Sequence, residues 1–287
     1  MASFEEKLEK AVKTLIAKLD PSVDVETRKA AIIRLGTLNA EEAVPYLLEI
    51  LQGSGDQEVQ DDDSELRQAA AEALGNICTS DGISALEIAL DNENNPNVLK
   101  KVIESLGTCK AVTAIPDIVD LLKNSEDEQI RIEAVYALAE TATSPALEGI
   151  IWAMNNDPSP TVRSTATTVL GQLGLQETTQ DLLFILKNDK DGNVRKEAVY
   201  SLGKIENMPA TDELLNILSI EKDPQVRAAL VRNLGEHNDK AEKILPVLIK
   251  VYKEDKDSSV QFWVEDSIEK LGAVLGYESI EKIMEDY

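Results

Sequence analysis

Apolar residues return along this chain at steps of three and four, and the steps themselves return as a block. The block is clearest at Asp191-Gly-Asn-Val-Arg195-Lys-Glu-Ala198-Val-Tyr-Ser-Leu202-Gly203. Moved back 32 residues it falls on Val162-Arg163 and Leu170-Gly171, and moved forward 32 it falls on Asp223, Val226-Arg227 and Leu234-Gly235. Its last position is taken in turn by Gly36, Gly75, Gly107, Ala139, Gly171, Gly203, Gly235 and Gly272, with spacings of 39, then 32 five times, then 37. Helical spacing nested inside a fixed longer period predicts one helix pair per block, stacked as a right-handed all-α superhelix of about eight pairs.

In order, Phe4, Leu8, Ala11, Val12, Leu15, Ile16 and Leu19 predict an opening amphipathic helix that ends before Pro21. Arg28, Ala31, Ile32 and Leu35 mark the next helix, and Ala43, Leu47, Leu48 and Leu51 a third. The run 52–63 is a long acidic connection that accounts for the 39-residue spacing and reads as a solvated loop. The last unit, 254–287, carries Phe262, Trp263, Val264, Ile268 and Leu271 in a longer helix and a short amphipathic tail from Tyr277 to Tyr287. Its divergence suits the cap of an open end, and Trp263 is assigned to that cap. The whole is expected to be one solenoid over 1–287.

Three registers inside the block predict local contacts. Asp63, Asn95, Asp127, Asp191, Asp223 and Asp257 stand where a helix begins and are expected to cap it, with Pro96, Pro160 and Pro224 at the first helical position. Val98, Ile130, Val162, Val194, Val226 and Val260 are expected to form a buried seam. Arg28, Arg67, Arg131, Arg163, Arg195 and Arg227 share one register, interrupted by Leu99 and Gln261. They read as a structural ladder to the Asp caps or to helix-end carbonyls of neighbouring repeats, and the Leu99 gap beside 92–97 as a weak joint. Glycine in the Leu-Gly position permits either close helix approach or a chain reversal.

Composition narrows the function. Lys plus Arg is 29 against 53 Asp plus Glu, a net charge of −24 that repels phosphate backbones, so nucleic acid is not an expected partner. No run approaches the ~20 apolar residues that would span a membrane, and the acidic amino terminus is unlike a secretory signal. A cytoplasmic monomer without membrane insertion is expected. Cys78 and Cys109 are too few for a disulfide framework and fit a reducing compartment. Stacked helices ~10 Å apart would hold them too far apart to bond, so they read as small helix-end residues; a shared metal, cluster or thioether-linked cofactor is the alternative. One histidine, His237, no Gly-rich phosphate loop and no zinc spacing leave no catalytic residue, metal ligand or cofactor to name.

The run Val-Arg-x-x-Ala-x-x-x-Leu-Gly followed by an acidic turn, clearest at 162–171, 194–203 and 226–235, resembles the short HEAT-like repeats first recognised in phycobilisome lyase subunits, over about 4 to 275. That resemblance implies a solenoid whose Val-Arg helices line the inner, concave wall. Relatives of this kind include bilin lyase and isomerase subunits, a phycobilisome-degradation factor, a partner of iron–sulfur assembly scaffolds and adaptors without chemistry. A metal-dependent hydroxylase of the same architecture holds two irons on several His-Glu pairs, which a chain with His237 alone does not offer.

On such a helix the positions one, two, five and nine residues after the Arg register point outward. Among them Lys100, Lys101, Glu104, Glu133, Tyr136, Glu140, Thr168, Gln172, Lys196, Tyr200, Lys204 and Arg232 are the candidate partner-binding residues, with Tyr136 and Tyr200 at the centre. Charges on this wall nearly cancel: Lys29, Lys100, Lys101, Lys196, Lys204 and Arg232 stand against Glu72, Glu104, Glu133, Glu140, Glu197 and Glu236. The expected function is a non-catalytic protein-binding scaffold or adaptor. The alternatives are a phycobilisome-associated chromophore lyase-like or degradation factor, and an adaptor for iron–sulfur cluster assembly.

Overall fold

A computed structural model describes residues 3–53, 63–205 and 210–287, and every regular element in them is helical. Most of the acidic run 52–63 lies outside the described residues. The chain forms two compact units, 1–150 and 151–287.

In the first unit α1 (Phe4–Ala17) is followed by the pairs α2 (Val25–Thr37) with α3 (Val44–Gln52), α4 (Ser64–Ile77) with α5 (Ser80–Asn92), and α6 (Pro96–Thr108) with α7 (Ile115–Asn124). Then come α8 (Glu128–Thr141) and α9 (Ser144–Asn156), the latter crossing the boundary. The second unit pairs α10 (Pro160–Leu173) with α11 (Thr179–Asn188), α12 (Gly192–Leu202) with α13 (Thr211–Leu218), α14 (Pro224–Gly235) with α15 (Ala241–Glu254), and α16 (Ser258–Val274) with α17 (Ile280–Asp286). The chain is therefore an all-α repeat protein. Within each unit the first helix of a pair packs on the first helices before and after it.

The Val register is the seam: Val98, Val162, Val194, Val226 and Val260 are fully buried and Ile130 nearly so. Both ends depart from the regular pairs. Helix α1 buries Val12, and Leu19 just beyond it is also buried, while Phe4 is 81% exposed. At the other end α16 runs 17 residues, and Ile283 of α17 folds over Gly272, with its Cδ1 2.1 Å from where a Cβ on that glycine would lie.

Asn95, Asp127, Asp191, Asp223 and Asp257 cap their helices as expected, each accepting the N–H two residues on, and Ser159 does the same for α10. Asp63 does not: it precedes α4, but its side chain accepts no hydrogen bond from the first turn. Pro96, Pro160 and Pro224 occupy the first turn, where a missing N–H costs nothing.

The arginine ladder exists, but its partners are not the caps. Arg163 donates from Nε and Nη2 to both oxygens of Asp189 at 2.7 and 3.0 Å, and from Nη1 to the carbonyls of Asp157 and Pro158. Arg195 holds Glu221 and the Asp189 carbonyl in the same way, and Arg227 holds Asp255 and the carbonyls of Glu221 and Lys222. Arg67 pairs with Glu93 at 2.9 Å. Arg163, Arg195 and Arg227 thus each join the turn before their own helix to the turn before the next first helix. The carboxylate a ladder arginine holds stands two residues before the cap and also accepts that cap's N–H, as Glu93 does from Asn95 and Asp189 from Asp191. A cap uses its own oxygen on the first turn, so the residue two before it is the one left to meet the arginine. Where Leu99 replaces arginine, Ser125 stands 26 residues on in place of the carboxylate. Leu99 is buried and Ser125 still accepts the Asp127 N–H, so no charge is orphaned at that joint.

Glycine serves close approach, not chain reversal. A Cβ on Gly36 or Gly107 would lie 2.7 Å from the Cα of Ala73 or Ala137, and one on Gly171 would lie 2.4 Å from the Ser201 Cβ. None of these glycines has positive φ. Removing the side chain uncovers the carbonyl one turn back, and the facing helix uses it: Ser201 Oγ donates to Thr167 O and Ser267 Oγ to Val231 O.

The same convergence overturns the expectation for the cysteines. Cys78 and Cys109 form a disulfide, with Cα atoms 5.3 Å apart. Axis-to-axis helix spacing does not apply at the Gly end, where a Cβ on Gly75 would meet the Ser105 Cβ at 2.6 Å. Cys78 also sits in the left-handed region, at φ 50°, one register step beyond Cys109, which turns its side chain toward the next pair. The pairing removes the two thiols from which a reducing compartment was inferred.

Three outcomes follow from these contacts. Arg195→Ala leaves a buried Glu221 uncompensated and is expected to cost about 3 kcal/mol, while Arg195→Leu with Glu221→Ser, copying the Leu99 and Ser125 joint, should recover most of it. Denaturant melts of the three proteins check this, and a double variant as weak as the single one would refute it. Burial pushes the carboxyls of Asp189, Glu221 and Asp255 up, but hydrogen bonds from arginine and cap N–H groups outweigh it and hold each below its usual value. Their contribution is therefore complete above the ordinary carboxylate range and lost as the pH falls through the lowered values; thermal melts between neutral and acidic pH should fall on that side, and an Arg163→Gln/Asp189→Asn variant should fall less. Reducing the disulfide, which closes a separation of 31 residues, should lower stability by about 3–4 kcal/mol on loop entropy, read from melts with and without reductant after thiol titration.

Candidate functional site

The outward positions of the first helices form the surface expected to bind, because the Arg, Ala and Leu-Gly registers turn the rest of each helix inward. In the first unit Lys100, Lys101 and Glu104 come from α6, and Glu133, Tyr136 and Glu140 from α8. Tyr136 is 49% exposed; Glu104 and Glu140 are exposed; Lys100, Lys101 and Glu133 are half-buried. Lys101 Nζ pairs with Glu104 Oε2 at 2.5 Å, and Lys29 of α2 bridges to Glu65 of α4 at 2.7 Å. Burial, with Glu104 adding to it, raises the Glu133 carboxyl above its usual value. Burial lowers the Lys101 ammonium, but the Glu104 pair and the nearby Glu72 and Glu133 outweigh it and raise it overall. Opposite charges therefore interleave across α4, α6 and α8 on this face.

In the second unit Thr168 and Gln172 come from α10, Lys196 and Tyr200 from α12, Lys204 from just beyond it, and Arg232 from α14. Tyr200, Lys204 and Arg232 are brought together: with Glu197, Gly203, Asn233 and Glu236 they line one open groove of about 450 Å3. Asn233 forms its floor. Its Nδ2 occupies the space above Gly203, where a Cβ would come within 2.1 Å, and its Oδ1 is buried with no donor. Thr168 donates to Glu197 at 3.4 Å from the α10 side, while Lys196 turns back to Asn193 Oδ1. Tyr136 and Tyr200 belong to different units and so to separately described surfaces.

One part of this surface was assigned elsewhere from sequence. The Arg232 guanidinium lies over the Trp263 ring, 4.6 Å from its centroid, and Trp263 meets Phe262 edge-on at 5.1 Å. Trp263 thus adjoins the groove through Arg232 as well as belonging to the end helix. Counting from Gln261 in the arginine register puts Phe262, Trp263, Asp266 and Lys270 on the outward positions, a signal that the irregular last spacing obscured. Phe262 is 65% exposed, and Lys270 holds Glu236 at 2.9 Å.

Chemistry is sparse here. Burial holds the His237 imidazole below its usual value and therefore neutral near pH 7. Among the described residues no three His, Cys, Asp or Glu side chains gather as a metal site, and no helix is long and apolar enough to cross a membrane. The arrangement can present charge and aromatic area to another molecule.

Comparison with known proteins agrees with the repeat architecture. A model described as HEAT repeats matches residues 57–139, 147–219 and 211–286, and a PBS lyase HEAT-like repeat matches residues 27–53. No curated protein matches in sequence. Among solved structures, the protein YibA of Escherichia coli is 23% identical with a TM-score of 0.54, covering 93% of this chain and 97% of that one. The karyopherin Kap121p, bound to the extreme C-terminus of the protein phosphatase Cdc14p, is 14% identical with a TM-score of 0.61, covering 97% of this chain and 35% of the karyopherin. A chain of the CpcE and CpcF complex of phycocyanin lyase from Nostoc sp. PCC7120 is 21% identical, covering 91% of this chain and 94% of that one, with a TM-score of 0.46. At these identities the first two of these structures speak for the fold alone.

Proposed function

Because the chain belongs to the HEAT-repeat family, we propose that it is a non-catalytic scaffold or adaptor that binds a protein partner on the outward face of its first helices. The observation that carries this reading is the pair of exposed tyrosines in one register, Tyr136 on a face of lysine and glutamate positions and Tyr200 in a groove with Lys204, Arg232 and Glu197. An exposed ring gains little in the free protein, but at an interface it supplies large area at low side-chain entropy cost. Mixed charge around it favours selection of a partner over bulk attraction. The net charge of −24 disfavours nucleic acid.

The PBS lyase HEAT-like match over 27–53 favours a second reading, the handling of a phycobilisome chromophore. Mixing the protein with a bilin or a bilin-bearing subunit and recording the visible spectrum separates the two, since only a chromophore handler shifts the absorption. An iron–sulfur adaptor draws no support from the cysteines, which are bonded to each other.

Affinity capture from the native extract identifies the partner, which is then titrated against Tyr136→Ala and Tyr200→Ala. Substitution at a tyrosine in the interface should cost about 1–3 kcal/mol of binding with an unchanged melting temperature. Full affinity in both variants would place the partner elsewhere.

A further inference from the structure

The arginines of this chain fall into two groups. Arg67, Arg163, Arg195 and Arg227 spend their donors on carboxylates or carbonyls, and Arg28 and Arg131 on carbonyls. Among the described residues Arg34 and Arg232 make no side-chain hydrogen bond or ion pair, but Arg232 is held by stacking on Trp263, which leaves the donor rim of its guanidinium open. Lys204, on the opposite side of the same groove, is exposed and has no ion pair among the described residues. Of the groove's carboxylates, Glu236 is held by Lys270, while Glu197 accepts a long hydrogen bond from Thr168 and keeps its charge. In a chain with a net charge of −24, this groove sets two cations without an ion pair among the described residues against one such carboxylate.

Aromatic area lies on the same side. Tyr200 lines the groove and is 37% exposed, Trp263 carries Arg232, and Phe262 is 65% exposed beside it. A stacked guanidinium has lost part of its freedom before a ligand arrives, so a bidentate carboxylate contact costs less ordering than one to a free arginine. The surrounding negative field opposes an acidic folded domain, because repulsion would act over its whole surface. A linear segment meets that field at fewer points.

We infer that the groove between α12 and α14, extended to α16 by Trp263 and Phe262, takes an extended peptide segment in which a carboxylate lies next to a bulky apolar side chain. The carboxylate sits between Arg232 and Lys204, and the apolar side chain packs on Tyr200 or on the Phe262 and Trp263 pair. The cavity, about 450 Å3, is within the size range of sites that enclose a small ligand. This inference rests on the reading of the first-helix face as the partner surface and specifies what the second unit binds there.

The test uses the full chain and three fluorescein-labelled peptide pools in which bulky apolar residues alternate with glutamate, with glutamine or with lysine. Anisotropy titrations should rank glutamate above glutamine above lysine, and raising the salt should weaken the glutamate pool most. Arg232→Gln and Lys204→Gln should each weaken the glutamate pool about tenfold. Lys187→Gln, exposed on α11 and outside the first-helix face, should leave it unchanged. Neither groove cation bonds within the fold, so all three variants should keep the parent circular dichroism and melt; should Arg232→Gln unfold, Lys204→Gln alone decides.

Equal or tighter binding of the lysine pool, no binding of the glutamate pool, or indifference of that binding to both substitutions overturns the proposal. Displacement of the peptide by inorganic phosphate at concentrations where acetate has no effect assigns the cations to phosphate and also overturns it. If the glutamate pool fails while a captured protein still loses affinity in Tyr200→Ala, this inference falls and the partner-surface reading stands. If the pool binds as stated but captured proteins ignore both tyrosines, the groove is a peptide site separate from the main partner surface.

Discussion

A guanidinium shared between two successive turns determines how neighbouring pairs meet in this protein. Arg163, Arg195 and Arg227 each hold carbonyls of the turn just behind them and a carboxylate of the turn ahead, so the spacing of two turns is set by one planar group with donors on both edges. The far ends of the same helices are set differently, by glycines that let Ala73, Ala137 and Ser201 come within backbone contact. Polar clamping at one end and steric intimacy at the other fix a helix pair against its neighbour, and the Val register fills the space between with buried apolar surface. The first helices therefore expose only the strip these constraints leave over.

That strip explains why charge and function divide as they do. The ladder uses its arginines and the carboxylates before the caps internally, so they contribute little to the outer field. The exposed acids of a chain with charge −24 are distributed over other surfaces. On the first-helix face, Lys101 with Glu104 and Lys270 with Glu236 neutralise one another locally, which leaves Lys204, Arg232 and the aromatic rings in the second unit and the exposed Glu72 and Glu140 in the first. A surface of this kind selects by the position of single groups, not by overall attraction.

Much of this was legible in the sequence. The buried seam, five of the six expected caps and the prolines at helix starts were all marked by residues in a strict register, since one backbone geometry recurs and demands the same side chain each time. The ladder's partners were harder to see. They alternate between Glu93, Asp189, Glu221 and Asp255 in a chain rich in both acids, and only the coincidence of Leu99 with Ser125 singles the position out. The disulfide was missed because one cysteine occupies a left-handed residue, and the relevant distance was that of converging helix ends, not of helix axes. Trp263 was placed by its position near the terminus, although its register from Gln261 put it beside Arg232.

The clamp also gives each joint a polarity. An arginine is paired by a residue that lies beyond the end of its own block, so what two neighbours must share is a compatible donor and acceptor, not a similar overall sequence. Excising 189–220 would bring Arg163 opposite Glu221 in place of Asp189, an equivalent joint. Excising 93–124, of the same length, would bring Arg67 opposite Ser125 and leave a buried guanidinium without an anion. Blocks that look interchangeable by period thus carry an order of adjacency, and Leu99 with Ser125 marks where that order changes from ionic to apolar and back.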